Sequence, residues 1–160
     1  MRALVTGVAG FIGSTLGEQL LARRHEVVGV DSLTSSYDPR TKRHNLAVLL
    51  EESAFRFVEG DLVSVDLGNL LERVDIVFHV AALPGVRDSW STDFRDYEQA
   101  NVLATHRLLE ACREVPIRRF VYSSSSSVYG LASRFPVRES DLPRPLSPYG
   151  VTKLAADHMC

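Results

Sequence analysis

The 160 residues are enough for one domain with a hydrophobic core, and 45% hydrophobic with 24% charged residues is ordinary for a soluble globular protein. The net charge of −2 indicates neither nucleic-acid binding nor attachment to an anionic membrane, and the apolar runs are too short to span a bilayer. The two cysteines, Cys112 and Cys160, lack metal-ligand spacing and are expected to be reduced, which suits the cytoplasm.

Strands and helices alternate along the chain from its first residues. In chain order we predict a strand over Ala3 to Thr6, a helix over Phe11 to about Arg24, a strand over Glu26 to Val30, a helix over Pro39 to Leu50, strands over Phe55 to Glu59 and Asp75 to Val80, a helix over about Thr92 to Glu114, a strand over Arg119 to Ser123, a proline-rich loop over Leu131 to Pro148, and a helix beginning near Tyr149. Apolar strands that alternate with helices predict a parallel sheet covered on both faces, which is a doubly wound α/β fold. Its ligand is expected beyond the carboxyl ends of the strands.

A glycine-rich turn joins the first predicted strand to the first predicted helix. Gly7, Gly10 and Gly13 have the spacing G-x-x-G-x-x-G, and Phe11 and Ile12 lie between the last two. Glycines allow a tight turn and let backbone N–H groups reach a pyrophosphate at the helix N-terminus. Three glycines between a strand and a helix therefore favour a dinucleotide site over a turn that merely tolerates glycine.

The second predicted strand is followed by an acidic residue, Asp31. A carboxylate at this position can accept hydrogen bonds from the adenosine ribose hydroxyls and would repel a 2′-phosphate, which favours NAD over NADP. An ordinary loop aspartate is the alternative. Arg40, Lys42 and Arg43 lie downstream, and a loop that brought one of them near a phosphate would allow NADP.

Two further strand ends carry residues suited to a cofactor. Asp61 and Leu62 follow the third strand, and a carboxylate there can either accept from an adenine amino group or cap a helix. Val80, Ala81 and Ala82 follow the core of the fourth strand. Small alanines let the backbone approach a cofactor closely, although they would also serve as plain packing.

Taken together, these motifs occur in an order that resembles a known family. They are Thr6 to Gly13, Asp31, Gly60-Asp61, His79 to Ala82, Asn101-Val102, Ser123 to Gly130 and Tyr149 to Lys153. As a set, and over the whole chain, they resemble the extended short-chain dehydrogenases/reductases. The resemblance implies a Rossmann domain over residues 1–160, tightly held NAD and a nucleotide-sugar substrate.

Within that family the chain looks most like the UDP-glucuronate 4-epimerases. Residues 31–43 resemble their D-x-x-x-x-x-Y-D-P-x-x-K-R stretch, and residues 82–87 resemble their A-x-x-G-V-R. Ala104 departs from the family, which commonly has glycine there, and should be tolerated in a helix. Family members continue for roughly another domain, so a small substrate domain is expected beyond Cys160.

Tyr149 and Lys153 are four residues apart, which places both on one face of a helix. A neighbouring ammonium and the positive nicotinamide ring favour the phenolate form of a tyrosine, so Tyr149 can take the proton from a sugar hydroxyl. Lys153 would also bind the nicotinamide ribose. The alternative is an aromatic residue packed at the helix start, with the lysine in solvent.

The serine run between residues 123 and 127 has apolar and aromatic flanks, which indicate a strand end entering the site rather than a flexible linker. By resemblance Ser125 is the catalytic serine and hydrogen-bonds the sugar oxygen, although its neighbours could substitute. Ser126 and Ser127 stand where the related 4,6-dehydratases have Asp-Glu. Two hydroxyls cannot readily do that acid–base work, which argues against dehydration.

The resemblance also implies two overlapping sets of binding residues. Those expected at NAD are Gly7, Gly10, Phe11, Ile12, Gly13, Asp31, Ser32, Asp61, Leu62, Val80, Ala81, Ala82, Asn101, Ser123, Tyr149 and Lys153. Those expected at the substrate are Arg87, Ser125, Ser126, Ser127 and Tyr149. Arg87 could instead form a surface salt bridge. Asn101, on the apolar stripe of the long helix, is expected to hold the active-site backbone, and His79 is expected to be structural.

The function predicted on this basis is NAD-dependent 4-epimerisation of a UDP-sugar, UDP-glucuronate to UDP-galacturonate, through a 4-keto intermediate. UDP-glucuronate decarboxylase and UDP-glucose 4-epimerase are the enzymatic alternatives. An NAD-binding regulatory module without turnover is the alternative of another class. The family resemblance implies a homodimer, and no metal, nucleic-acid or membrane partner is predicted.

Overall fold

The computed structural model of the chain describes residues 1–35, 37–91, 93–132 and 134–160. The predicted start of the long helix, Thr92, lies outside these ranges. So do Ser36, which belongs to the stretch between residues 31 and 43, and Ser133, which belongs to the predicted proline-rich loop.

Strands and helices alternate along the described residues. The strands are β1 (Arg2–Thr6), β2 (Glu26–Asp31), β3 (Phe55–Glu59), β4 (Ile76–His79) and β5 (Arg119–Tyr122). The α-helices are α1 (Phe11–Ala22), α2 (Pro39–Leu50), α3 (Leu67–Leu71), α4 (Phe94–Tyr97), α5 (Ala104–Arg113) and α6 (Pro148–Met159). Asp88–Trp90 and Ser126–Tyr129 form 3₁₀ turns, and Glu98–Leu103 is π-helical.

The five strands form one parallel sheet in the order β3-β2-β1-β4-β5, which confirms the predicted doubly wound α/β fold. Strand order reverses between β1 and β4, so a crevice opens at the carboxyl ends of these two strands. Thr6 at the end of β1 pairs with His79 at the end of β4, and His79 pairs with Tyr122 at the end of β5. These strand ends therefore meet at the crevice.

Local signals in the sequence set the helix starts. The Asp38 carboxylate caps α2 by accepting from the N–H of Arg40, and Pro39 occupies its first turn as expected. The Ser147 hydroxyl caps α6 in the same way, accepting from the N–H of Gly150 at 3.0 Å, with Pro148 in the first turn. The α6 cap fixes where Tyr149 enters the crevice.

Two helical features differ from the sequence-based prediction. The predicted long helix is not a regular α-helix, because α4 continues through the π-helical turn Glu98–Leu103 into α5. Helix α3 was not predicted, since its five residues are too few to show a periodic pattern. The carboxylate of Asp66 caps α3 through the N–H of Asn69.

Hydrophobic cores lie on both faces of the sheet. Ala3 and Val5 of β1 point to the core beneath α1 and α2, whereas Leu4 points to the core beneath α3 and α5. This alternation on a strand buried from both sides explains its continuous apolar sequence. In the part of the chain that the structure describes, the helices lack the length and apolar character needed to cross a membrane.

Candidate active site

The turn between β1 and α1 is held by close backbone contacts that only glycine permits. Gly7 has a φ of +69°, and a Cβ at this position would lie 2.8 Å from the backbone of Ala81 at the end of β4. A Cβ on Gly13 would overlap the carbonyl oxygen of Gly7. Gly10 differs, because its Cβ would meet that oxygen at 3.2 Å and would otherwise have room. Gly7 and Gly13 thus shape the turn, and Gly10 borders open space.

Helix α1 presents an uncapped N-terminus to the crevice. No side chain caps it at Gly10, and the N–H of Ser14 is the one that bonds the Gly10 carbonyl, at 2.9 Å. The N–H groups of a first helical turn have no carbonyl partner within the helix, and they carry the positive end of its dipole. Phe11 and Ile12 are 82% and 58% exposed. This end of α1 therefore fits a phosphate group.

The Asp31 carboxylate at the end of β2 is buried and largely occupied by protein groups. Its Oδ2 accepts from the N–H of Ala9 at 3.1 Å, and its Oδ1 accepts from the N–H of Leu33 at 2.8 Å and from Nζ of Lys42 at 3.1 Å. Lys42 is buried too, and its ammonium lies 5.3 Å from the ring centre of Tyr37. A carboxylate has about four acceptor positions, and the described residues occupy three of them, which leaves one for a ribose hydroxyl.

Asp61 and Leu62 follow β3 on the outer side of the crevice. The exposed carboxylate of Asp61 accepts from the N–H of Val63 at 2.9 Å and so closes a turn. Leu62 is buried in the core beneath α3 and α5. Each aspartate oxygen has two acceptor positions, so this turn leaves Asp61 able to accept from a ligand.

A chain of buried hydrogen bonds crosses the ends of β1 and β4. The Thr105 hydroxyl donates to the carbonyl of Asn101 at 2.7 Å, so it accepts from Nε2 of His79 at 2.9 Å. Nδ1 of His79 is then the acceptor for the Thr6 hydroxyl at 2.7 Å. Burial lowers the pKa of His79 to about 3, and the Lys153 ammonium adds to the lowering. His79 is therefore neutral and structural.

Thr6 extends this chain to the alanines that follow β4. Its Oγ1 accepts from the N–H groups of Val80 at 3.1 Å and Ala81 at 3.0 Å. With the contact between Ala81 and Gly7, these bonds fix the backbone of β4's end against the glycine turn. Ala82, which follows, is half-buried.

Asn101 lies in the π-helical turn and bridges two parts of the site. Its Oδ1 accepts from the N–H of Leu83 at 2.7 Å, and its Nδ2 donates to the Leu83 carbonyl at 3.1 Å and to Oγ1 of Thr152 at 3.0 Å. The Thr152 hydroxyl donates to the carbonyl of Tyr149 at 2.8 Å. Asn101 thus holds the loop after β4 against α6, and its contact with NAD stays a prediction.

Lys153 is buried at the end of β5. Its Nζ donates to the carbonyl of Ser123 at 2.7 Å and lies 4.2 Å from the ring centre of Tyr122. Burial lowers the pKa of Lys153 to about 8, and the nearby Asp157 carboxylate raises it in part. The bond to Ser123 therefore holds Lys153 in one place, and its lowered pKa lies near neutral pH.

Tyr149 stands at the start of α6, half-buried, with the ring of Tyr97 edge-on at 6.4 Å. Tyr97 is fully buried, and its hydroxyl lies within hydrogen-bond distance of the carbonyls of Pro84 (3.1 Å) and Gly85 (3.2 Å). Arg87 follows in the same loop and is exposed, and within the described residues it forms no ion pair. The loop therefore leaves the guanidinium available to a ligand.

The serine run lies against α6. The Ser125 hydroxyl oxygen accepts from the N–H of Ser127 at 3.2 Å, and among the described residues its O–H has no acceptor and can donate to a ligand. Ser124 instead donates to Oδ2 of Asp157 at 2.6 Å. Ser126 is exposed at the start of the 3₁₀ turn. The structure thus brings the predicted serines, Tyr149 and Lys153 to one end of the sheet.

Several residues of the site were not predicted to take part in it. Thr6 and Tyr97 orient the backbone around it, and Lys42, expected at most near a phosphate, pairs with Asp31. Asp157 is one helical turn beyond Lys153, and that spacing is the signal that could have indicated it.

The family model described as "NAD dependent epimerase/dehydratase family" matches residues 3–160. The chain belongs to this family. A Bacillus subtilis (strain 168) relative named "Uncharacterized UDP-glucose epimerase YtcB" is 49% identical over the whole chain and 51% of its own length. The UDP-glucose 4-epimerase of Mycolicibacterium smegmatis is 41% identical, over 98% of this chain and 49% of its own.

Among solved structures, the UDP-glucuronic acid 4-epimerase of Bacillus cereus in complex with UDP-glucuronic acid and NAD superimposes with a TM-score of 0.96. It is 46% identical, and the match covers all of this chain and 51% of that one. The chain thus spans about half the length of the relatives it matches.

Proposed function

We propose that the complete protein is an NAD-dependent UDP-sugar 4-epimerase that converts UDP-glucuronate to UDP-galacturonate. The likeness to the Bacillus cereus enzyme that binds both ligands carries this proposal, since it extends over the entire chain. The placement of Tyr149, Lys153 and the serine run at the carboxyl end of the sheet supports it.

The residues around the crevice fit NAD. The uncapped start of α1 beside Gly10 suits the pyrophosphate, and the free acceptor position of Asp31 suits the adenosine ribose. The remaining predicted contacts with NAD are part of the same proposal. When bound there, NAD would supply reversible hydride transfer at C4 of the sugar.

The chain's own groups would handle the proton of the sugar hydroxyl. Tyr149 takes this proton as a general base, and the ammonium of Lys153 favours the phenolate that Tyr149 needs for that step. The free O–H of Ser125 donates to the same sugar oxygen and helps to hold it. Arg87, exposed in the loop after β4, is the proposed contact for the substrate's phosphates or carboxylate.

UDP-glucose is the second candidate substrate, because two of the relatives described above are named UDP-glucose epimerases. Dehydration is disfavoured, since Ser126 and Ser127 supply no acid–base pair. UDP-glucuronate decarboxylation begins with the same oxidation step as epimerisation, and its product distinguishes the two reactions. A regulatory module without turnover would have no use for the proton-handling set of Ser125, Tyr149 and Lys153.

We further propose that residues 1–160 form the NAD-binding domain and that a substrate domain lies beyond residue 160. The proposal includes a homodimer in the cytoplasm. The relatives' greater length is the support for the second domain. Light scattering on the complete protein would test the dimer.

A product assay tests the proposed reaction. The complete protein is incubated with NAD and either UDP-glucuronate or UDP-glucose, and the products are separated by chromatography. UDP-galacturonate from the first substrate supports the proposal, and a UDP-pentose would make the protein a decarboxylase. Turnover of UDP-glucose alone would assign the second candidate. No product from either would favour the regulatory module.

A further inference from the structure

Helix α6 contacts the serine run along one of its faces. At the start of the helix, a Cβ on Gly150 would lie 2.8 Å from the carbonyl oxygen of Ser127. One turn later, Nζ of Lys153 donates to the carbonyl of Ser123. Both contacts are made to the backbone of the run and leave its hydroxyls unconstrained.

The next turn of α6 supplies a different kind of contact. The Ser124 hydroxyl donates to Oδ2 of Asp157 at 2.6 Å. Within the described residues this is the hydrogen bond that joins a side chain of the run to a side chain of α6. A hydroxyl that donates to a carboxylate at this distance forms a charge-assisted bond, which is stronger than a neutral one in the same setting. This bond is exposed to solvent, so it serves to orient the run and adds little to stability.

We propose that Asp157 is a positioning residue, whose bond to Ser124 sets where Ser125 stands relative to Tyr149. Tyr149 is fixed by the α6 cap, whereas Ser125 belongs to an irregular segment between β5 and a 3₁₀ turn. The hydrogen bond at the preceding residue, Ser124, therefore constrains the position of Ser125. The inference deepens the proposed function and rests on it where turnover is the readout.

Asp157 has a second effect through its charge. Among the described residues, the groups that face Lys153 are His79 on β4, Tyr122 on β5, Asp157 on its own helix and Cys160 just past the end of that helix. The Asp157 carboxylate raises the pKa of Lys153 against the effect of burial. Removing this charge would lower the pKa of Lys153 further, so its ammonium would be lost at a lower pH.

Two variants separate the bond from the charge. Ser124→Ala removes the bond and keeps the carboxylate, so kcat should fall by about 10-fold with KM and the pH profile little changed. Asp157→Asn keeps an oxygen acceptor and removes the charge, so the decline of activity at high pH should move to lower pH. Glu114→Gln removes a carboxylate from an exposed residue just after α5, and as the matched control it should change neither kcat nor the pH profile.

A measurement of stability in the complete protein tests the bond without turnover. Thermal midpoints are compared for Ser124→Ala, Asp157→Ala and the double variant. The double variant should be no less stable than the worse single variant, because both remove the same bond. Additive losses would overturn the inference, as would a wild-type kcat in Ser124→Ala.

The pH dependence of NAD affinity is recorded in parallel for wild type and Asp157→Asn. A shift to lower pH in the variant supports the inference, and identical curves would overturn the effect on Lys153. A wild type inactive on both sugars would overturn the proposed function alone. The NAD-affinity curves and the thermal midpoints would then decide whether Asp157 holds the run.

Discussion

Acid should destabilise this fold through His79. Both ring nitrogens are engaged by Thr6 and Thr105, and the ring is fully buried. Its pKa falls from 6.5 in the unfolded chain to about 3 in the folded protein, chiefly through burial. This group has no effect on stability above about pH 6.5, and stability falls as the pH drops towards 3, because only the unfolded chain binds the proton.

The size of the effect follows from the two pKa values. At pH 5.0 the medium is about 1.5 units below the unfolded pKa and still well above the folded one. Proton uptake by the unfolded chain then lowers the free energy of unfolding by about 2 kcal/mol relative to neutral pH. That is a large part of the stability of an ordinary domain.

Urea unfolding of the complete protein at pH 7.5 and pH 5.0 measures this difference. His79→Gln is the comparison, since its neutral amide can keep one of the two bonds and does not titrate. The other four histidines of these 160 residues, and all residues outside them, are present in both proteins and cancel in the difference. Wild type should lose about 2 kcal/mol more than the variant between the two pH values. Equal losses would refute the assignment of a neutral, buried His79.

Three other perturbations have separable outcomes. Gly13→Ala should lower the thermal midpoint, because its Cβ overlaps the backbone at a cost of about 1–3 kcal/mol. Gly10→Ala should cost about 1 kcal/mol or less and should weaken NAD binding about 10-fold in a fluorescence titration. Equal losses of stability would contradict the different roles of the two glycines. Lys42→Met should lower the free energy of unfolding in urea by about 3–5 kcal/mol, because it leaves the Asp31 carboxylate without its ion-pair partner. The loss should be much smaller when Lys42→Met is combined with Asp31→Asn, and additive losses would contradict the ion pair between Lys42 and Asp31. Tyr149→Phe should leave circular dichroism and NAD content unchanged and abolish turnover, so rates like those of wild type would exclude Tyr149 as the base.

Most of the fold was predictable because the five strands and the longer helices have local signals. Apolar strands, the Pro39 and Pro148 helix starts and the glycine turn define the alternation, and the right-handed crossover rule gives the sheet. Helix α3 was missed because five residues cannot display helical periodicity. The π-helical turn was missed because the apolar stripe of the long helix does not reveal one extra residue.

The candidate site was predictable only where function depends on spacing along the chain. The four-residue interval between Tyr149 and Lys153 and the position of the serine run are visible in the sequence. The pairing of Lys42 with Asp31 is not, because it depends on how the intervening loop folds. The bond between Ser124 and Asp157 joins residues 33 positions apart and has no local signal.

The π-helical turn Glu98–Leu103 changes the phase of the long helix. A π-helical turn takes in an additional residue, and each residue of an α-helix advances by about 100°, so the side chains after the turn are rotated from their expected directions. Before the turn Tyr97 faces the loop that carries Arg87, and after it Leu108 faces the sheet. One continuous helix thus presents Tyr97 to the loop after β4 and Leu108 to the core beneath α3 and α5. A single-residue deletion within the turn would rotate α5 relative to α4, so that either Tyr97 would lose its contact with the loop or Leu108 would leave the core.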